Sequence, residues 1–222
     1  MDSQLRPRLD RKVSFDERSR QFPIRAVLPS KTPRSYSWRT NAWLDQGSEG
    51  ACVGFGWSHF LAGRPKEEPN ITNSFAQKLY NDAKKVDEWP GEDYDGTSVL
   101  AGAKTTLSDS YIKEYRWSFS FDDLILTLGH VSPVVLGIDW YEDMFNPDPK
   151  TGIITATGSL AGGHCILANG VNIKKKLVRL HNSWGKDWGK NGECYISFDD
   201  LQTLLSQDGE GCVPLNKVLK SS

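Results

Sequence analysis

Apolar positions change their period near the middle of the chain. Between residues 52 and 62, Val53, Trp57, Phe60 and Leu61 fall at helical spacing, and Gly63 with Pro65 ends the run. From 73 to 86, Phe75, Leu79 and Ala83 recur at i, i+4 and i+8, which predicts a second helix capped by Asn73 or Ser74. Val99 to Leu107 gives a third, weaker helix. The later segments VVLGID, GIITAT, HCILANGV, KLVRLHN and CYISF are short, rich in β-branched and aromatic residues, and separated by Gly, Asn and Pro. They predict antiparallel strands. A helical half followed by a stranded half implies an α+β chain with two lobes. The expected divisions are an arm over 1–40, a helical lobe over 41–118 and a β-rich lobe over 119–222, with a site in the cleft between the lobes.

The first forty residues stand apart. They hold ten Lys/Arg against four Asp/Glu, and Pro7, Pro23, Pro29 and Pro33 break any helix. An extended arm that wraps the surface is expected. A protein partner bound through the arm and a vestigial pro-segment are the sharper alternatives. No internal repeat or low-complexity segment is apparent.

Composition narrows the classes. Hydrophobic content of 38% and charged content of 25% are ordinary for a globular protein. A net charge of -1 gives no reason to expect nucleic acid or a membrane as partner. No apolar run is long enough to span a bilayer, and the charged start lacks the apolar stretch of a secretory signal. Cys52, Cys165, Cys194 and Cys212 are too widely spaced for a zinc site and are expected to be reduced thiols. A cytoplasmic or virion-associated setting is expected.

Three segments carry candidate chemistry. In DQGSEGACVGF a Gly-rich loop delivers Cys52 to the start of a helix. Free backbone N–H groups and the helix dipole there favour a thiolate, so its pKa is expected to fall below that of a free thiol. Gln46 could donate to an oxyanion beside the Cys52 N–H. In AGGHCILANGV, two glycines precede His164 at the entrance to a strand. In KLVRLHNSWG, alternation places Val178, Leu180 and Asn182 inward and His181 on the outer side. An inward Asn requires a partner, and a histidine N–H is a suitable one. Trp184 could shield that bond from water. His59 is expected to be surface or lobe-packing, and His130 structural.

Together these segments resemble the papain family of cysteine peptidases, from about Trp38 to about Leu215. The resemblance rests on Gln46-Gly47 before Gly50-Ala51-Cys52, on Gly163-His164, and on Asn182-Ser183-Trp184-Gly185 with Trp188-Gly189 and Asn191-Gly192. LYNDAKK and DGTS look like the bacterial and phage branches. The resemblance implies a helical left lobe, a β-barrel-like right lobe and a cysteine peptidase that cuts peptide or protein substrates. Cys52 would be the nucleophile, His164 its base, Asn182 the orienting residue and Gln46 an oxyanion donor, with no metal or cofactor. Gly50, Gly96 and Thr97 would offer backbone groups to a bound peptide, and Trp184 would line the site.

The sequence departs from the pattern at Glu49, where such enzymes usually carry a disulfide cysteine, and at Val53, which replaces an aromatic. Only 45 residues precede Gln46. A full inhibitory proregion of the usual kind would not fit there, so regulation by one is not expected. The competing reading is a structural or binding protein, such as a phage-particle component, built on the same fold. A peptidoglycan hydrolase of a related thiol fold is a third.

Overall fold

A computed structural model describes residues 7–91 and 93–218. At its centre lies α2, Cys52–Ala62, with all eleven residues buried. Two glycines let other elements approach it closely. A Cβ at Gly54 would strike Tyr80 and the Ala76 carbonyl, and one at Gly56 would press on the Cys165 sulfur. Helix α3, Asn73–Lys84, packs on α2. Its cap is Thr72, whose side chain accepts from the Phe75 N–H. This corrects the expected cap at Asn73 or Ser74, because the Asn73 side chain instead accepts from the Asp45 N–H. Helix α4, Val99–Ser108, is capped by Ser98. Its first carbonyl accepts from the Trp57 indole at 3.2 Å.

The opposite lobe is built on an eight-stranded sheet. Its strands are β4 (Glu114–Ser118), β5 (Val134–Tyr141), β6 (Ile153–Ile154), β7 (Leu160–Asn172), β8 (Leu177–His181), β9 (Glu193–Ser197) and β10 (Glu210–Leu215). The order is β4-β10-β5-β7-β8-β9-β6, with β2 (Tyr36–Ser37) added beside β7. Every pair is antiparallel except β6 with β9. Strand β4 falls within 41–118 of the sequence yet belongs to this sheet.

Two helices here escaped the sequence reading, α5 (Phe121–His130) and α6 (Phe198–Ser206). Both open with the same five residues, Ser-Phe-Asp-Asp-Leu, at 120–124 and 197–201. Ser120 and Ser197 accept from the N–H groups of Asp123 and Asp200, and the rings of Phe121 and Phe198 meet edge to face at 5.0 Å. The short repeat was therefore present and was the signal for both starts.

His181 is not on an outer side. It is buried, with Nε2 2.8 Å from the Ala42 carbonyl oxygen and its ring 4.4 Å from that of His59. The loop before α2 covers this face of β8, so both of its faces are dry. His59 is likewise buried, and its Nε2 accepts from the Leu44 N–H. One apolar core lies under the sheet, around Leu136, Ile138, Trp140, Ile166 and Leu180. A second joins Cys52, Trp57 and Leu61 to Val135 and Leu167 across the lobes.

The arm is fastened at separate points, with buried Leu9, Arg11, Ser14, Ile24, Trp38 and Thr40 between exposed stretches. It holds β1 (Arg11–Lys12), α1 (Glu17–Arg20), a 3-10 turn (Ile24–Val27) and β2. Leu9 and Ile24 are buried in the core under the sheet, and the Trp38 indole donates to the Leu128 carbonyl. Strand β1 runs parallel to β3, Thr97–Ser98. All four cysteines are free and buried. No helix among the described residues is long and apolar enough to cross a membrane.

Candidate active site

Two of the three expected catalytic residues meet directly. His164 lies in β7 and Asn182 just past the end of β8; both are buried, and Nε2 of His164 lies 2.8 Å from Oδ1 of Asn182. That same oxygen accepts from the Ser183 N–H at 2.8 Å, which fixes the orientation of the amide. Nε2 must therefore carry the proton and donate it, leaving Nδ1 as the bare basic nitrogen. Nδ1 is buried with no partner among the described residues. The ring of Trp184 sits 5.0 Å from that of His164, in the covering position expected of it, and Trp140 closes in at 4.8 Å.

Cys52 begins α2, and the backbone N–H of Cys165, the residue after His164, lies close enough to its sulfur to favour the anion. Gln46 is held by two contacts to the Asn-Ser-Trp-Gly segment. Its N–H donates to the Ser183 carbonyl at 2.9 Å, and its Oε1 accepts from the Ser183 hydroxyl at 2.6 Å. The second bond turns the amide nitrogen toward the Cys52 loop. Glu49 replaces a disulfide by a hydrogen bond received from the Gln77 side chain.

The arm fills the cleft above these residues. The Cys52 thiol donates to the Leu9 carbonyl at 2.9 Å. The Gln46 amide nitrogen donates to the Arg8 carbonyl at 2.9 Å and to that of Glu49 at 2.8 Å. Both groups expected to act on a substrate carbonyl are thus engaged by successive carbonyls of the arm. Gly50, Gly96 and Gly163 form its bed. A Cβ on Gly50 or Gly96 would collide with Asp10, and one on Gly163 with the Arg11 carbonyl. Gly96 is at φ +82°, and its N–H donates to the Tyr80 hydroxyl at 2.9 Å. Thr97 pairs with Arg11 through the backbone, and its hydroxyl donates to Asp87. Gly50, Gly96 and Thr97 therefore lie against the chain's own arm, which turns at Asp10, at φ +65°.

One expectation is overturned. The Cys52 thiol is not made acidic. Burial pushes it up to about 12, outweighing the N–H groups of Cys165 and Val53, which pull it down. Burial likewise pushes the His164 imidazole down to about 4, opposed by the Asn182 bond. Both groups are neutral at pH 7 beneath the arm. The arm occupies the cleft with only a few residues, from Arg8 to Lys12. Sequence reasoning missed Leu9, Asp10 and Arg11 altogether. It also missed Glu210, whose signal was an acidic residue opening an otherwise apolar strand.

The family model of papain family cysteine proteases matches residues 73–203, more than half of the chain. The chain belongs to the papain family of cysteine proteases. The matched stretch includes His164 and Asn182, and Cys52 precedes it. An uncharacterised peptidase C1-like protein of Acanthamoeba polyphaga mimivirus is 39% identical over 107 residues, covering 46% of this chain and 34% of that protein. The chain thus spans about a third of that relative's length. Among solved structures, xylellain, a cysteine protease from Xylella fastidiosa, superposes with a TM-score of 0.67 at 17% identity, covering 99% of each chain. The bromelain protease from Ananas comosus gives 0.60 at 15% identity, covering 85% of this chain and 100% of its own. These likenesses give this family member the papain-like fold.

Proposed function

We propose that this chain is a cysteine peptidase held latent by its own N-terminal arm. The observation that carries the reading is the Leu9 carbonyl seated on the Cys52 thiol above an intact His164–Asn182 pair. With the arm withdrawn, water re-enters, and the desolvation that keeps both groups neutral is relieved. Nδ1 of His164 then takes the thiol proton. The Cys52 thiolate attacks the carbonyl carbon of a peptide, and the Gln46 amide and Cys52 N–H receive the oxyanion. The C–N bond breaks as Nδ1 returns its proton to the leaving amine. Water, deprotonated by the same nitrogen, cleaves the thioester and restores the thiol. Asn182 keeps the imidazole in one tautomer and orientation throughout.

The cleft floor supports a peptide or protein substrate, since its glycines accommodate backbone. The four free thiols fit a reducing compartment. Activity on a broad peptide library tests the reading, using the chain as it stands, Arg11→Ala to loosen the arm, and Arg11→Ala/Cys52→Ala. Hydrolysis should appear with Arg11→Ala and vanish in the double variant. An absence of hydrolysis by every form under reducing conditions would count against it.

A further inference from the structure

The arm's Arg11 lies deeper than any other residue of the blocking segment. Its side chain is 0% exposed, and that of Glu210, its partner, 3%. It descends between Gly137 and Val99, for a Cβ on Gly137 would meet both the Arg11 Nε and a Val99 methyl. At the bottom Nη2 donates to Glu210 Oε1 and to the Asp208 carbonyl, each at 2.8 Å, and Nε reaches the same Oε1 at 3.3 Å. The fit is incomplete. Nη1 of Arg11 and Oε2 of Glu210 are both buried without a partner among the described residues.

Glu210 opens a strand whose next residues, Gly211, Cys212 and Val213, are buried and without charge. A carboxylate placed there is strongly disfavoured unless a cation meets it. Emptied of Arg11, the pocket is an unpaired acid with a spare oxygen and a backbone carbonyl beside it. A planar guanidinium matches that set of acceptors better than an ammonium does. The pocket also stands close to the reacting atoms. Leu9 touches Cys52, Arg11 follows two residues later, and the Arg11 carbonyl lies over Gly163, next to His164.

We infer that the pocket ending on Glu210 sets the specificity of the cleft, and that it takes the arginine side chain of a peptide substrate within one or two residues of the bond cut. Arg11 occupies the place of that side chain. The inference rests on the peptidase reading above and adds the substrate class to it.

The test uses full-length Arg11→Ala and fluorogenic tetrapeptides carrying arginine, or its neutral isostere citrulline, at each of the four positions before the scissile bond. At one position arginine should raise kcat/KM at least tenfold over citrulline. In Arg11→Ala/Glu210→Gln that ratio should fall to near one. A ratio near one at all positions in Arg11→Ala would overturn the inference while leaving the peptidase reading intact. If no peptide is cut, fluorescence anisotropy with Arg11→Ala/Cys52→Ala decides the pocket separately. At least tenfold tighter binding of the arginine peptide than of its citrulline analogue supports the inference, and equal binding overturns it.

Discussion

The arm's grip on Cys52 can be measured through the thiol itself. Beneath the arm the sulfur is 0% exposed and protonated, so alkylation must wait for the arm to open. Its rate then scales with the opening equilibrium. Arg11→Ala removes a buried charged pair and a charge-assisted bond to the Asp208 carbonyl. Hydrogen bonds to charged groups contribute about 1.5–3 kcal/mol each, so two give roughly 3 kcal/mol at the low end. Breaking one partner of a buried pair costs a similar or larger amount. At about 1.4 kcal/mol per tenfold, the open fraction should rise at least about a hundredfold. Iodoacetamide at pH 7.5, with the modified cysteine located by peptide mass spectrometry, reads this directly. Cys165, Cys194 and Cys212 serve as internal controls, since they are buried within strands β7, β9 and β10 and should label only on unfolding. If Arg11→Ala, folded by circular dichroism, labels at Cys52 within threefold of the unaltered chain, the arm is not the barrier and the reasoning fails.

Gly96→Ala should also free Cys52, because the new methyl collides with Asp10 and the residue is at positive φ. Alkylation should speed up, while stability falls by about 1–2 kcal/mol in urea melts. Asn182→Ala leaves Nε2 of His164 buried without an acceptor, at a cost of about 1–3 kcal/mol. In the Arg11→Ala background it should lower kcat for the cleaved peptides and leave KM nearly unchanged, and unchanged kcat would refute its positioning role. Acid should destabilise the chain through its buried histidines. The folded pKa of His164 is about 4 and that of His59 is well below 6.5, so below pH 6.5 the unfolded chain binds protons that the folded chain refuses. Stability present above pH 6.5 is lost as pH falls toward 4, by roughly 1.4 kcal/mol per unit for each histidine. Glu210, raised by burial to about 7, contributes one proton of opposite sign between pH 7 and 4.5. Urea melts at pH 7, 6 and 5 should show a net loss near one proton's worth, and His164→Gln should flatten it. An unaltered slope in that variant would contradict the buried neutral imidazole.

Much of this was legible in the sequence. Helix α2 runs over the residues its spacing marked, because buried Val53, Trp57 and Leu61 dictate period and length together. His164 and Asn182 meet because strand alternation turns an inward amide toward the imidazole on the neighbouring strand. The failures have physical causes. Helices α5 and α6 are announced mainly by their caps, and their apolar runs, Leu-Ile-Leu-Thr-Leu in α5 for one, read equally well as strand. His181 was misplaced because alternation identifies two faces but not whether a loop covers the second. The arm's course was illegible, since its contacts are backbone carbonyls, glycines and one ion pair, separated by up to 199 residues of chain. The acidity of Cys52 was misjudged for the same reason. A helix start lowers a thiol's pKa only while water or charge supports the anion, and Leu9 removes the water.

Ile24 and Trp38 anchor the arm to the lobe under the sheet, downstream of the segment that blocks the cleft. A tethered ligand of this kind meets its site at an effective concentration on the order of millimolar, whatever the dilution of the protein. Free peptides at micromolar levels therefore compete poorly, and raising the enzyme concentration relieves nothing. Latency of this kind is a property of each molecule alone. On the proposed reading it ends when the tether is cut, pulled away or bound by something else, which makes the stretch between Arg11 and Ile24 the natural point of control.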